Sequence, residues 1–190
     1  MPEPHAHRYA WRDAEGSGRQ SIVVLYGEDA ITARGRVEPG DDVPHAIEFT
    51  VVCDGSWRTR EVEVVEPASG RRIMLFADGA GGWSSGTEAL PALHGAIDVD
   101  ISSTPYTNTL AIRRSQLGVG EHVDIVTAYV SVPDLTVSPD PQRYTRRSER
   151  SYRFESLDSE FRREITVDDL GFVVEYPSLF SRIHPPDETP

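Results

Sequence analysis

The stretch "HVDIVTAYVSV", residues 122 to 132, decides the fold. Side chains alternate at period two along an extended chain. Val123, Ile125, Thr127 and Tyr129 therefore share one side, and Val126, Ala128 and Val130 share the other. An antiparallel sheet commonly leaves one face to water, but here both faces are largely apolar. A second sheet layer can cover the second face, or the sheet can curve around an apolar ligand. Periodicity alone leaves both arrangements open.

The same signature recurs on either side of this stretch. "SIVVLY" (21 to 26) and "AITARGRVE" (30 to 38) flank a turn at Gly27-Glu28-Asp29. "HAIEFTVVC" (45 to 53) and "RTREVEVVE" (58 to 66) flank "DGSW", a hairpin signal. In the second of these, Glu61 and Glu63 alternate with Val62 and Val64, giving one wet and one dry face. "RRIMLF" (71 to 76), "RSYRFES" (150 to 156), "FRREITV" (161 to 167) and "FVVEYP" (172 to 177) read as further strands, and "SLFSRI" as a short terminal helix or cap. That makes about ten strands with short polar turns and no βαβ rhythm. The expected class is mostly antiparallel β, either a barrel or a large curved sheet. No repeat or linker divides the chain. A single β domain over residues 1–190 is expected, with its core at about 5–184 and a frayed Pro-rich tail at 185–190.

Composition removes several function classes. The chain has 190 residues, 31 acidic against 19 basic, and a net charge of −12. That field repels nucleic acid and anionic lipid surfaces; the one basic cluster is "QRYTRRSERSYR" (142 to 153). Every basic residue is arginine. Without lysine there is neither a Schiff-base amine nor a P-loop cation. No run approaches the roughly 20 apolar residues of a membrane helix, and "MPEPHAHRYAWRD" has no apolar secretory segment. Cys53 is the only cysteine, which excludes an internal disulfide and suits a reducing compartment. A bacterial, cytoplasmic protein is expected. His5 and His7 fall in an N-terminal segment read as mobile. His45, His94, His122 and His184 are scattered, none at metal-ligand spacing. No metal site and no cofactor are expected.

The densest chemistry lies in "DVDISSTPYTNTLAIRR" (98 to 114), which holds the only asparagine of the chain, Asn108. Asp98 and Asp100 stand at i and i+2 of a strand, so they project together, about 7 Å apart, a spacing that overlaps glycosidase carboxylate pairs. Pro105 breaks the strand, Thr107 can cap the turn that follows, and Arg113 and Arg114 return close enough to pair with either aspartate. The stretch can be a salt-bridge knot, a polar pocket for a headgroup, or an acid/base site. Asp98–Arg114 is expected as the knot. Trp83, in the glycine-rich loop "ADGAGGWSSGTEALP" (77 to 91), can be a lid on the core or stack on a sugar.

These motifs, together with "DGAGGW" (78 to 83), "QRYTR" (142 to 146), "YRFES" (152 to 156) and "VDDLGFVVEYPSLFSR" (167 to 182), resemble the bacterial family called Putative glycolipid-binding, over about residues 5 to 184. The resemblance implies a mostly β fold with a single large curved antiparallel sheet, a half-barrel or open barrel with few short helices, like those of periplasmic lipoprotein carriers and mycobacterial lipid-binding lipoproteins. The chain departs from that family at Ala96, often cysteine there, and at Ala111, often proline. The leading expectation is non-catalytic binding of an amphiphilic small molecule, a glycolipid, in the concave face of the sheet. Trp83, Asp98, Asp100, Tyr106, Asn108, Arg113, Arg114, Arg143 and Tyr144 are its candidate ligand-binding residues. The rivals are a hydrolase using Asp98 and Asp100 as an acid/base pair, and a ligand-free interaction module using the arginines of 142 to 153.

Overall fold

A computed structural model of the protein describes residues 5–14, 16–41 and 43–184. The tail expected to fray at 185–190 lies outside the described residues. The first eight strands are β1 (His5–Asp13), β2 (Arg19–Tyr26), β3 (Ala30–Val37), β4 (Ile47–Asp54), β5 (Thr59–Glu66), β6 (Arg71–Ala77), β7 (Trp83–Ser85) and β8 (Glu88–Ala89). Strand β9 (Asp98–Ile101) leads into helix α1 (Tyr106–Ser115). Then come β10 (His122–Ser131), β11 (Thr136–Ser148), β12 (Ser151–Ser156), β13 (Arg162–Val167), β14 (Val173–Tyr176) and β15 (Phe180–Ile183).

The fifteen strands among the described residues form one sheet in the order β8-β7-β6-β5-β4-β3-β2-β1-β15-β14-β13-β12-β11-β10-β9. The expected mostly-β architecture is present, as one large sheet not closed into a barrel. One edge nevertheless curls onto the other half of the sheet. The Thr59 amide donates to the Ile97 carbonyl at 3.3 Å, and the Val99 amide donates to Thr59 Oγ1 at 3.1 Å. These bonds bring edge strand β9 onto the start of β5.

Several local expectations are corrected. "SLFSRI" carries strand β15, paired with β14 and β1. His5 and His7 lie in β1, paired with Tyr26 and Val24 of β2, in the interior of the sheet order. The glycine-rich loop contains the short strands β7 and β8. Strand β11 runs through Pro139 and Pro141, residues that argue against a strand. Its β12 neighbour reaches only as far as Gln142, so this half of β11 is an edge, where a missing N–H breaks no ladder. Strands β9 and β10 are parallel; a parallel pair needs a crossover, and α1 supplies the one βαβ unit seen here.

That crossover fills the hollow. From Tyr106 to Ile112 every residue of α1 is buried. Tyr106 and Leu110 belong to a core formed with β1–β7, β9 and β10. Ala111 and Ile112 belong to a second core with Tyr144, Tyr152, Phe154, Ile165, Val173 and Tyr176. An aromatic column crosses the first core. The Phe49 ring covers Gly35, its cross-strand partner, where a Cβ would lie 2.1 Å from Phe49 Cζ. Tyr106 stacks on Phe49 at 6.4 Å, Phe172 on Tyr106 at 6.3 Å, and Tyr9 on Phe172 at 4.1 Å. Open space is thereby left at the two mouths of the hollow.

Candidate functional site

The central stretch is organised by the turn between β9 and α1. Thr107 lies inside the first helical turn and does not cap it. Its hydroxyl ties the helix back to β9, donating to Asp100 Oδ1 at 2.8 Å and accepting from the Ile101 amide at 3.3 Å. The helix ends at Gln116, whose φ of 47° is left-handed.

Asp98 and Arg114 form the expected knot. Arg114 Nε donates to Asp98 Oδ1 at 2.9 Å, and Nη2 donates to Oδ2 at 2.6 Å. Asp98 is 1% exposed. Burial pushes its carboxyl above the ordinary range, although the Arg114 guanidinium pulls the other way. Burial alone would lower Arg114, but the hydrogen bonds and charge of Asp98 raise it. Both Asp98 oxygens are thus engaged by Arg114.

Asp100 faces the opposite way along the helix, toward the mouth at the N-terminal end of α1. Gln142 Nε2 donates to Asp100 Oδ2 at 2.7 Å and to Asp140 Oδ2 at 2.6 Å, so one amide bridges two carboxylates. Burial, reinforced by Asp140 and Asp98, raises the Asp100 carboxyl against the hydrogen bonds from Gln142 and Thr107. Burial and the nearby Asp158 raise Asp140. Beside them Asn108 Nδ2 donates to the buried Tyr144 hydroxyl at 2.8 Å.

Two adjoining basins open at this mouth and share Ser102, Tyr129, Leu179 and Phe180. One, of about 320 Å³, has Val37, Val43 and Val132 in its wall. The other, of about 450 Å³, is lined by Asp100, Asn108 and Asp140 together with Phe154, Phe161 and Tyr176. Carboxylates beside aromatic rings suit a polyhydroxylated group, whose hydroxyls donate to carboxylates while its C–H face packs on the rings.

At the C-terminal end of α1 a third basin, of about 680 Å³, is lined by Trp57, Arg58, Arg113, Arg114, Arg146 and Tyr152, with Asp169 at its rim. Arg113 lies over the Trp57 ring at 5.1 Å and Arg146 over Tyr152 at 5.7 Å.

The nine candidates are therefore divided. Asp100 and Asn108 line the first mouth; Arg113 and Arg114 line the second. Asp98 is locked under Arg114. Trp83 is core, its Nε1 donating to the Ala96 carbonyl at 2.8 Å, and Tyr106 is fully buried in the aromatic column. Tyr144 is buried behind Asn108. Arg143 lies on the exposed face of β11, paired with Asp124 at 2.6 Å. The arginines of 142 to 153 do not form one free patch: Arg150 pairs with Asp169 and Arg153 with Glu164.

Sequence reading missed Asp140, Gln142, Tyr129, Trp57 and Arg58, and offered Arg146 only as part of the basic cluster. The signal for two of the missed residues was period two. Asp140, Gln142, Tyr144 and Arg146 stand on one face of β11, a face visible only once Pro139 and Pro141 are admitted to a strand.

Comparison with known proteins follows this geometry. The family model described as Putative glycolipid-binding matches residues 8–182. The crystal structure of a DUF1089 family protein from Pseudomonas aeruginosa is similar, with a TM-score of 0.77 at 33% identity, over 88% of this chain and 92% of that one. No curated protein matches the chain.

Proposed function

The chain belongs to the Putative glycolipid-binding family, and from that premise we propose that it binds an amphiphile with a sugar-like headgroup, without catalysis, at the mouth beside the N-terminal end of α1. The observation that carries this reading is the pair of adjoining basins. The first sets Val37, Val43 and Val132 beside Arg19, Gln20 and Glu38, and the second sets Asp100, Asp140 and Asn108 beside Phe154, Phe161 and Tyr176. An amphiphile laid across Tyr129 and Phe180 would meet apolar and hydrogen-bonding groups in both. The centre of the concave face is taken by α1 and Tyr106, so the ligand sits at the rim of the hollow and not along its length.

The family's name supports an amphiphilic ligand. The engagement of both Asp98 oxygens by Arg114 favours binding over an acid/base pair. Among the described residues no helix is long and apolar enough to cross a membrane. The single buried thiol, Cys53, fits our placement of the protein in the reducing cytoplasm.

Titration with dodecyl maltoside below its micelle concentration, followed by backbone amide shifts, tests the reading. Saturable shifts at Tyr129, Asp140 and Phe161 are expected, abolished by Val132→Trp, which fills the first basin. Native mass spectrometry of the purified protein would show a retained amphiphile. An absence of saturable binding, or binding unaffected by both Val132→Trp and Phe161→Ala, would sink the proposal.

A further inference from the structure

We propose that the second mouth, at the C-terminal end of α1, is an anion site built for a phosphate group. The inference stands independently of the amphiphile reading, because it rests on different residues at the other end of the hollow.

The first observation concerns charge pairing. Arg36, Arg71, Arg72, Arg114, Arg143, Arg150, Arg153 and Arg182 pair with carboxylates. Other arginines, among them Arg12, Arg34, Arg60 and Arg163, show no ion pair among the described residues, but Arg58, Arg113 and Arg146, which also show none, line one basin together. One carboxylate, Asp169, also lines the basin and pairs with Arg150 at 2.6 Å. Three unneutralised cations sharing one cavity repel each other unless an anion joins them. The partial negative charge at the end of α1 offsets only about half an elementary charge.

The second observation is that these guanidinium groups are held in place without being neutralised. Arg146 donates Nη1 to the Leu117 carbonyl at 2.7 Å, Nη2 to the Glu149 carbonyl at 3.0 Å and Nε to the Ser148 carbonyl at 3.2 Å, and lies over Tyr152. Arg58 donates Nη1 to the Gly79 carbonyl at 2.8 Å. Carbonyl acceptors fix a fork but leave its charge in place. Arg113 is stacked on Trp57 at 5.1 Å, which holds its guanidinium without neutralising it. Trp57 itself adopts a φ of 65°, a region costly for a bulky side chain. The β4–β5 turn bears that strain while presenting the ring to Arg113.

A guanidinium carries planar donors that match phosphate oxygens, often in pairs. Three of them around a basin of about 680 Å³ leave room for the ester group as well as the phosphate. The phosphate can come from the free anion or from the headgroup of a phosphorylated amphiphile.

Calorimetric titration with inorganic phosphate, against chloride at matched ionic strength, tests the site. Saturable phosphate binding is expected, weakened about tenfold or more by Arg113→Gln and by Arg146→Gln, and retained in Arg36→Gln on the opposite face of the sheet. Arg113→Lys guards against a folding artefact: it keeps the charge but not the fork, and should bind with intermediate strength. Dodecyl phosphate below its micelle concentration separates the sources. Binding about tenfold or more tighter than phosphate identifies a lipid headgroup, and equal binding identifies the free anion; each result supports the site. No phosphate binding beyond that of chloride would overturn it. So would binding that Arg113→Gln and Arg146→Gln leave within about twofold of wild type.

Discussion

Asp98 and Arg114 meet through two near-parallel hydrogen bonds, 2.9 and 2.6 Å long, between the edge strand β9 and the last turn of α1. The carboxylate is 1% exposed. This bridge fixes the C-terminal end of the helix to the sheet, and it separates the two mouths chemically: the carboxylate bridge of Asp100 and Asp140 on one side, the arginine basin on the other.

Breaking one partner should cost far more than replacing both. Arg114→Met leaves Asp98 buried and unpaired, an expected loss of about 3–5 kcal/mol. Asp98→Leu combined with Arg114→Met should recover most of it. Urea denaturation of the two single variants and the double variant measures the coupling; single losses below about 1 kcal/mol would mean the bridge is only decorative.

The raised carboxyl of Asp100 makes a signed pH prediction. A group whose folded pKa lies above its unfolded value stabilises the fold below the unfolded pKa, and that stability is lost as pH rises through the folded pKa. Wild type should therefore lose stability relative to Asp100→Asn as pH rises from about 4, the ordinary carboxylate value, through the raised folded value. Urea midpoints of both proteins from acid to neutral pH read this directly; a constant difference would contradict it.

Tyr106 separates packing from hydrogen bonding. Its ring lies between Phe49 and Phe172, yet its hydroxyl is buried without a partner. Tyr106→Phe should be neutral or stabilising, since an unsatisfied buried hydroxyl costs about 1–3 kcal/mol. Tyr106→Ala should lose about 3–5 kcal/mol through the cavity it leaves. Thermal unfolding of the two variants should move in opposite directions or differ sharply.

Cys53 should be inert in the native state. It is fully buried on β4, and burial pushes its thiol up, so little thiolate exists to react. A chromogenic disulfide reagent at pH 8 should label it only after denaturant is added. Prompt labelling of the native protein would show that the strand opens locally.

The main strands were legible because their residues are half-buried on a pleated surface. "SIVVLY", "HAIEFTVVC" and "HVDIVTAYVSV" became β2, β4 and β10, each expressing a period of two. The helix was legible only as a single helical turn after Pro105, with Leu110 and Arg114 at i and i+4, and not over its ten residues. Thr107, Asn108 and Thr109 are buried along with Leu110 and Ala111, so no polar face marks a helical period. Strand β11 was hidden by two prolines that only an edge position excuses, and β15 is too short to show a period.

By itself the sequence determined an acidic, lysine-free chain of mostly antiparallel strands with a second, inner apolar face that has to be covered. It also confined the densest chemistry to residues 98 to 114, and placed Asp98 within reach of Arg114. Only the tertiary structure decided what covers that inner face and where the polar groups point. The crossover between two parallel edge strands carries α1 through the hollow, and the helix axis then sends Asn108 to one mouth and Arg113 to the other. Residues distant in the chain, Asp140 and Gln142 at one end and Trp57, Arg58 and Arg146 at the other, complete each mouth. They meet there because the sheet curls until β9 reaches β5, a long-range closure that local periodicity does not encode.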